Sequence, residues 1–283
     1  MTTYDAIVVG LGAHGSAAAA ELGRRSARVL GLERFHRGHA LGSSVGRSRI
    51  IRLAYFEHPD YVPLLRRAWD RWLDLERETG ERLLVETGGL YVGAPGSAIV
   101  EGSLRSAREH GLAHEVLDAA TMRERFPALR VDGGMVGLHA AKAGYLVPER
   151  CIEAHLALAE RRGAALRFGE VVERWAADGS GVRVETTGGR YRAERLVIAA
   201  GAWLPRLLPD LGVAFEGERV TLFWFEPPAP QPFERLPVYI VETDWDGSFY
   251  GFPYLPDQGL KVARHGSSER ADPDALDRSP RAE

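Results

Sequence analysis

The amino-acid sequence predicts an α/β chain of two domains, one on a mostly parallel sheet and the other on a mostly antiparallel one. Three observations carry that prediction. Residues 6–9 form a short β-branched apolar run, followed at once by a glycine-punctuated turn, an alanine-rich stretch and a second apolar run over 27–33. Strand and helix patterns alternate again between 141 and 212. Beyond Gly212 the texture changes to four alternating, aromatic-rich runs.

The first of these is the most specific. Gly10, Gly12 and Gly15 give the spacing G-x-G-x-x-G between a strand buried on both faces and a helix expected over 13–23. The first glycine allows a tight turn, the second lets a pyrophosphate approach the backbone, and the third lets helix and strand touch. Free N–H groups and the dipole at the helix start favour an anion. Glu33 ends the second strand, 33 − 15 = 18 positions after Gly15, close to the spacing at which a carboxylate reaches a ribose 2′-hydroxyl. The plain alternative is a solvated strand end. Strand, helix and acid together predict a Rossmann-like dinucleotide site. A carboxylate there argues against a 2′-phosphorylated dinucleotide, but the unit does not choose between FAD and NAD.

Composition bounds the rest. A chain of 283 residues with 45% hydrophobic content can bury a sizeable core, and a net charge of −3 offers no basic excess for nucleic acid. No uninterrupted apolar run reaches membrane-spanning length, and the N-terminus carries no cationic segment ahead of an apolar one, so a cytoplasmic protein is expected. Cys151 is the only cysteine, which excludes an internal disulfide or a cysteine-based metal cluster. Beside Pro148, at a helix start, it reads as a small buried thiol rather than a reactive one.

Taken in order, residues 34–52 form a polar, glycine-rich loop dense in cations, among them Arg47, Arg49 and Arg52. Solvent exposure is the plain reading, but residues 50–53 are apolar enough for partial burial, and a buried cation needs an anionic partner. Asp60 precedes a helix whose apolar positions Tyr61, Leu64, Leu65, Ala68, Trp69, Trp72 and Leu75 are expected in the core and which ends at Gly80. Strands at 82–86 and 87–93, a helix near 100–110 and a small helix after Asp118 follow. A helix over 148–162, strands near 165–168, 171–175 and 182–186, and a buried strand running into Gly201 restore the α/β pattern. The four later runs, 220–225, 236–242, 248–252 and 260–265, are expected to be antiparallel strands of one sheet. The resulting domains are 1–87 with 141–212, and 88–140 with 213–283.

Several stretches, in order along the chain, resemble the monomeric sarcosine oxidase and N-methyltryptophan oxidase family of flavoproteins, within the D-amino-acid oxidase group. They are residues 5–15, Gly42-Ser-Ser-Val-Gly-Arg-Ser-Arg-Ile-Ile-Arg-Leu-Ala-Tyr55, Thr87-Gly-Gly-Leu90, Val197-Ile-Ala-Ala-Gly-Ala-Trp203, Tyr250-Gly-Phe-Pro253 and Gly259-Leu-Lys-Val-Ala-Arg-His265. The resemblance implies FAD held by Gly10, Gly12, Gly15, Glu33, Arg34, Ser43, Ser44 and Arg49, with Val172, Gly201 and Trp203 lining the same site. It implies oxidative demethylation of a small N-methyl amino acid by a monomer, with O2 as acceptor and H2O2 as product. Arg49 would lie by the flavin ring, Arg52 would bind the substrate carboxylate, Tyr250 and His265 would line the substrate pocket, and Lys261 would activate oxygen. Pattern alone reads differently: Tyr250 as a sheet aromatic, His265 as a surface residue, and Lys261, alternating with Leu260 and Val262, as solvent-facing. The resemblance also implies a further quarter of sequence in typical members, carrying the cysteine that links to flavin, so flavin on this polypeptide is expected to be non-covalent. A weakly flavin-binding or inactive remnant stands as the alternative reading.

Overall fold

The computed structural model describes residues 3–244, 247–266 and 269–279. In chain order the elements begin with β1 (Thr3–Val9), α1 (Ala13–Arg24), β2 (Val29–Glu33), β3 (Arg49–Arg52) and α2 (Tyr61–Thr79). There follow β4 (Leu84–Glu86), β5 (Gly89–Gly93), α3 (Ala98–Glu109), β6 (His114–Asp118), α4 (Ala119–Arg125), β7 (Val136–Ala140) and β8 (Ala143–Leu146). Next come α5 (Pro148–Arg161), β9 (Ala165–Phe168), β10 (Val172–Asp178), β11 (Gly181–Thr186) and β12 (Gly189–Ile198). The last strands are β13 (Leu222–Phe225), β14 (Val238–Thr243), β15 (Gly247–Gly251) and β16 (Leu260–Arg264). No helix among the described residues is long and apolar enough to cross a membrane.

The chain divides into two compact units, 1–45 with 148–219 and 270–283, and 46–147 with 220–269. The bounds expected from sequence are corrected at four places: 46–87 and 141–147 belong to the second unit, and 213–219 and 270–279 to the first. Residues 46–87 and 141–147 leave the nucleotide-binding unit together, because β3 and β4 both pair with β8 in a three-stranded sheet separate from it. Residues 270–279 join that unit through a backbone bond from Ala271 to Gly217 and ion pairs from Asp272 and Asp274 to Arg206.

The first unit is a six-stranded sheet in the order β10-β11-β12-β1-β2-β9, parallel from β12 through β9. Ile7, Val8, Leu30 and Leu32 are fully or almost fully buried, as expected for strands covered on both faces. α1 and α5 pack closely: a methyl group at Gly23 would lie 3.1 Å from the Arg162 side chain. The end of β12 departs from its expected burial, since Leu196, Val197 and Ile198 are only half covered. Cys151 is buried on α5, in agreement with the inert reading.

The second unit carries a seven-stranded sheet in the order β13-β16-β15-β14-β5-β7-β6. The four late runs are indeed strands of one sheet with antiparallel neighbours, while β14 joins β5 in parallel. α3 starts at Ser97, whose hydroxyl accepts from Val100 N at 3.4 Å, and α4 at Asp118, whose carboxylate accepts from Thr121 N at 2.8 Å. α2 ends at Gly80 in the left-handed conformation, as its sequence requires. Its buried side is turned from the expected stripe, with Val62, Trp69 and Leu75 inside and Tyr61 and Leu64 exposed. Positions 61 and 64 sit about 100° and 200° around the helix from the face that 62 and 69 define.

Candidate active site

In the nucleotide-binding unit the glycine turn is shaped by what presses on it. Gly10 has φ +87°, and a Cβ there would lie 2.5 Å from the carbonyl oxygen of Ala199. A Cβ on Gly15 would sit 1.7 Å from the Gly10 oxygen, so helix and strand touch at a point where no side chain fits. Gly12 differs: its conformation is ordinary, and a Cβ would meet only the Ser44 hydroxyl at 3.3 Å. Packing therefore does not demand glycine at position 12. Ser44 Oγ accepts from Ala13 N at 3.2 Å, and the amides of Gly12, His14 and Gly15 find no acceptor among the described residues. That free first turn, with a bare approach to it, fits a pyrophosphate.

Glu33 is buried, and its carboxylate accepts from Leu11 N at 2.9 Å and Phe35 N at 3.1 Å, with His39 Nε2 3.5 Å away. It therefore ties the glycine turn to the end of β2, and each oxygen keeps a lone pair for a hydroxyl. Around it runs a cluster whose members are distant in sequence. Phe35 meets His39 and Trp203 at centroid distances of 4.8 and 5.3 Å, and the Arg34 guanidinium lies 4.7 and 5.0 Å from the Phe35 and Trp203 rings. Asp274 joins it, accepting from Trp203 Nε1 at 2.7 Å and facing Arg34 at 3.2 Å; the Trp203 bond, with those of Arg206 and the charge of Arg34, holds its carboxyl below the ordinary value. Gly201, φ +54°, opens the short turn that carries Trp203. Val172 stands at the start of β10 beside a bulge, and Ser43 is exposed in the loop before Ser44. Phe35, His39 and Asp274 carry no motif and were not among the sequence candidates.

In the second unit the register of the sheet gathers the other candidates. Tyr250 faces Ala263 across β15 and β16, so Lys261 and His265, two residues to either side of Ala263, share its face. His265 extends the ladder by donating its N–H to Ser248 O at 2.7 Å. Phe252 and Trp224 stand on that face too, and Lys261 Nζ lies 4.7 and 5.7 Å from their ring centroids. Lys261 is only 3% exposed, which corrects the solvent-facing reading that alternation alone gives. Its ammonium donates to Gly46 O at 2.6 Å, Ser48 O at 2.7 Å and Ser48 Oγ at 3.3 Å. Loop 46–48 covers it, and at Gly46, φ +119°, a Cβ would come within 3.2 Å of Nζ.

β3 supplies the arginines. Arg49 is exposed at the strand start, and its charge opposes the burial that raises the Tyr250 hydroxyl above its ordinary pKa. Arg52 is buried and paired: Nη2 donates to both oxygens of Glu57, at 2.8 and 3.0 Å. The guanidinium also lies 4.0 Å from the Tyr55 ring centroid and 4.6 Å from that of Phe56. Phe56 meets His265 at 6.2 Å, and His265 meets Tyr250 at 6.3 Å. Arg52, Tyr250, Lys261 and His265 thus belong to one charged and aromatic surface. Glu57 and Phe56 complete it although no motif marks them. The described residues hold no group of three or more His, Cys, Asp or Glu side chains arranged for a metal.

Residues 5–282 match the family described as FAD dependent oxidoreductase. The chain is 48% identical over 282 residues to a monomeric sarcosine oxidase of Streptomyces avermitilis, spanning 98% of this chain and 73% of that one. It is 34% identical to an N-methyl-L-tryptophan oxidase of Salmonella heidelberg over 94% of this chain and 71% of the relative. The solved open form of NikD, an amino acid oxidase of nikkomycin biosynthesis, superposes with a TM-score of 0.80 at 26% identity, covering 98% of this chain and 73% of NikD. With the free helix turn, the two pinched glycines and these relatives in agreement, the chain belongs to the FAD-dependent oxidoreductases, in the family of monomeric sarcosine oxidase and N-methyltryptophan oxidase.

Proposed function

We propose that this protein oxidatively demethylates N-methyl amino acids, with O2 as electron acceptor. For the smallest substrate the balance is N-methylglycine, O2 and water giving glycine, formaldehyde and H2O2. FAD, when bound, supplies the two-electron chemistry. The protein's own residues bind, orient and exclude water. Gly10, Gly12, Gly15 and the free α1 amides receive the pyrophosphate, Glu33 the ribose, and Arg34, Ser43, Ser44, Val172, Gly201 and Trp203 surround that end. Arg52 anchors the substrate carboxylate through its planar fork, in place of Glu57 or beside it, each charge-assisted bond contributing about 1.5–3 kcal/mol. Tyr250 and His265 form the wall against which the amine lies. Arg49 works beside the flavin ring, and Lys261 holds a fixed positive charge where electrons pass to oxygen, without moving to do so. As part of the same proposal the enzyme acts as a cytoplasmic monomer on a small molecule.

The observation that supports this reading most strongly is the buried, fully engaged ammonium of Lys261 on one sheet face with Tyr250 and His265. A buried charge is costly to desolvate, and here it is held by the carbonyls of loop 46–48 beside the rings of Phe252 and Trp224, where an apolar side chain would fill the same space at no such cost. Purified protein saturated with FAD and supplied with sarcosine or N-methyltryptophan is expected to yield peroxide in step with amine loss. Flavin uptake with no amine-dependent peroxide would leave only the binding half of the proposal; no uptake would end it.

A further inference from the structure

The geometry points to Phe56 as the residue that sets substrate size, restricting this enzyme to N-methyl amino acids with hydrogen or a very small group on Cα. This rests on the proposed role of Arg52 as the carboxylate anchor. The Phe56 ring stands between the two things a substrate would touch: 4.6 Å from the Arg52 guanidinium and 6.2 Å from the His265 ring, edge-on at 72°. In any α-amino acid the side chain leaves the atom next to the carboxylate carbon, so a large substituent on a substrate held by Arg52 must pass through the space around that ring.

The ring cannot withdraw by moving its backbone. Gly102 of α3 abuts it so closely that a Cβ there would lie 2.2 Å from Phe56 O and 2.9 Å from its carbonyl carbon and Cα. One residue earlier, Tyr55 O accepts from Ser106 Oγ of the same helix at 2.5 Å. On its inner side Phe56 packs against a buried cluster containing Ala54, Tyr91, Leu104 and Ile240. Phe56 is therefore a rigid wall fastened from behind, and its bulk is subtracted from whatever binds at Arg52.

The test compares FAD-loaded wild type, Phe56→Ala and Phe56→Leu by the ratio of kcat/KM for sarcosine to that for N-methyl-L-tryptophan. In parallel, calorimetry gives the affinity ratio for acetate and indole-3-acetate, which need no turnover. Wild type is expected to favour the small member of both pairs. Phe56→Ala is expected to move both ratios toward the bulky member by about tenfold or more, with Phe56→Leu between, in the range that pocket shape commands. Ratios unmoved within about twofold in folded variants, or a wild type that prefers the bulky partner, overturn the assignment. If wild type oxidises neither amine the functional proposal falls, while the calorimetric ratios still decide the role of Phe56. Thermal unfolding establishes that each variant is folded, and Phe56→Leu carries the comparison if Phe56→Ala is not.

Discussion

Gly12 and Gly15 stand three residues apart in one turn, yet the structure gives them opposite reasons for being glycine, and alanine at each should separate those reasons. At Gly15 the new methyl would lie 1.7 Å from Gly10 O and 2.8 Å from Gly10 C, both backbone atoms, so either β1 or α1 must move. Overpacking of a close contact typically costs about 1–3 kcal/mol, and a backbone-on-backbone clash belongs at or above the top of that range. For a domain of this size that lowers Tm by roughly 6 °C or more, taking about 2–4 °C per kcal/mol. At Gly12 the methyl meets only a hydroxyl at 3.3 Å, with φ at −69°. The loss of a favourable N-cap, about 1 kcal/mol, is offset in part by the lower entropy of the unfolded chain, so Tm should change by no more than about 2 °C. That methyl nevertheless stands on the approach to the free amides of α1, and FAD affinity should fall at least tenfold. The assays are thermal unfolding of flavin-free protein and fluorescence titration with FAD. Equal losses of Tm in the two variants, or unchanged FAD affinity in Gly12→Ala, would refute the division of roles.

Lys261→Met should cost about 2–4 kcal/mol, since Gly46 O and Ser48 O lose their shared donor inside the unit, and should slow reoxidation by O2 while preserving reduction by amine. Stopped-flow measurement of the two half-reactions checks this, and an equal loss in both contradicts it. Glu57→Gln removes the carboxylate already seated on Arg52, so carboxylate ligands should bind several-fold tighter and raise Tm more than they do in wild type. Unchanged or weaker binding would show that Glu57 does not compete. Burial pushes His155 down from 6.5 to about 4, so it is neutral when folded and protonates more readily when unfolded. Stability is then fully present above about pH 6.5 and declines toward pH 4 by about 3 kcal/mol; urea denaturation of His155→Gln should show a flatter profile over that window.

Much of this was legible in the residues. The glycine turn, Glu33 and the helix between them are local, and each acts through its own backbone conformation or its spacing along the chain. Strand existence over 220–265 was equally plain from alternating aromatics, because period-two patterning reports a pleated segment whatever it pairs with. Pairing partners are another matter. β4 reads as a strand but β3 falls in a stretch that reads as a polar loop, and nothing in their three and four residues shows that together with β8 they form a sheet of their own, apart from the nucleotide-binding one. The burial of Lys261 was hidden for a related reason: alternation shows that Lys261 and Val262 face opposite ways, yet both sides of β16 are covered, one by loop 46–48. Asp274 and Glu57 act through ion pairs with Arg34 and Arg52, and an isolated acid in a polar stretch gives no sign of its counter-ion.

The place of β1 in its sheet has a bearing on synthesis. Its Ala6–Val9 half is flanked by β2 on one side and β12 on the other, and β12 begins 189 − 9 = 180 residues after β1 ends. At roughly 5–20 residues per second the ribosome needs about 10–40 seconds to make that span. Throughout that interval the nascent chain presents one unpaired side of an oily strand, an invitation to chaperones and to neighbouring polysomes alike. Substitutions that slow translation between those strands should lower the yield of recovered protein without altering the stability of what is recovered.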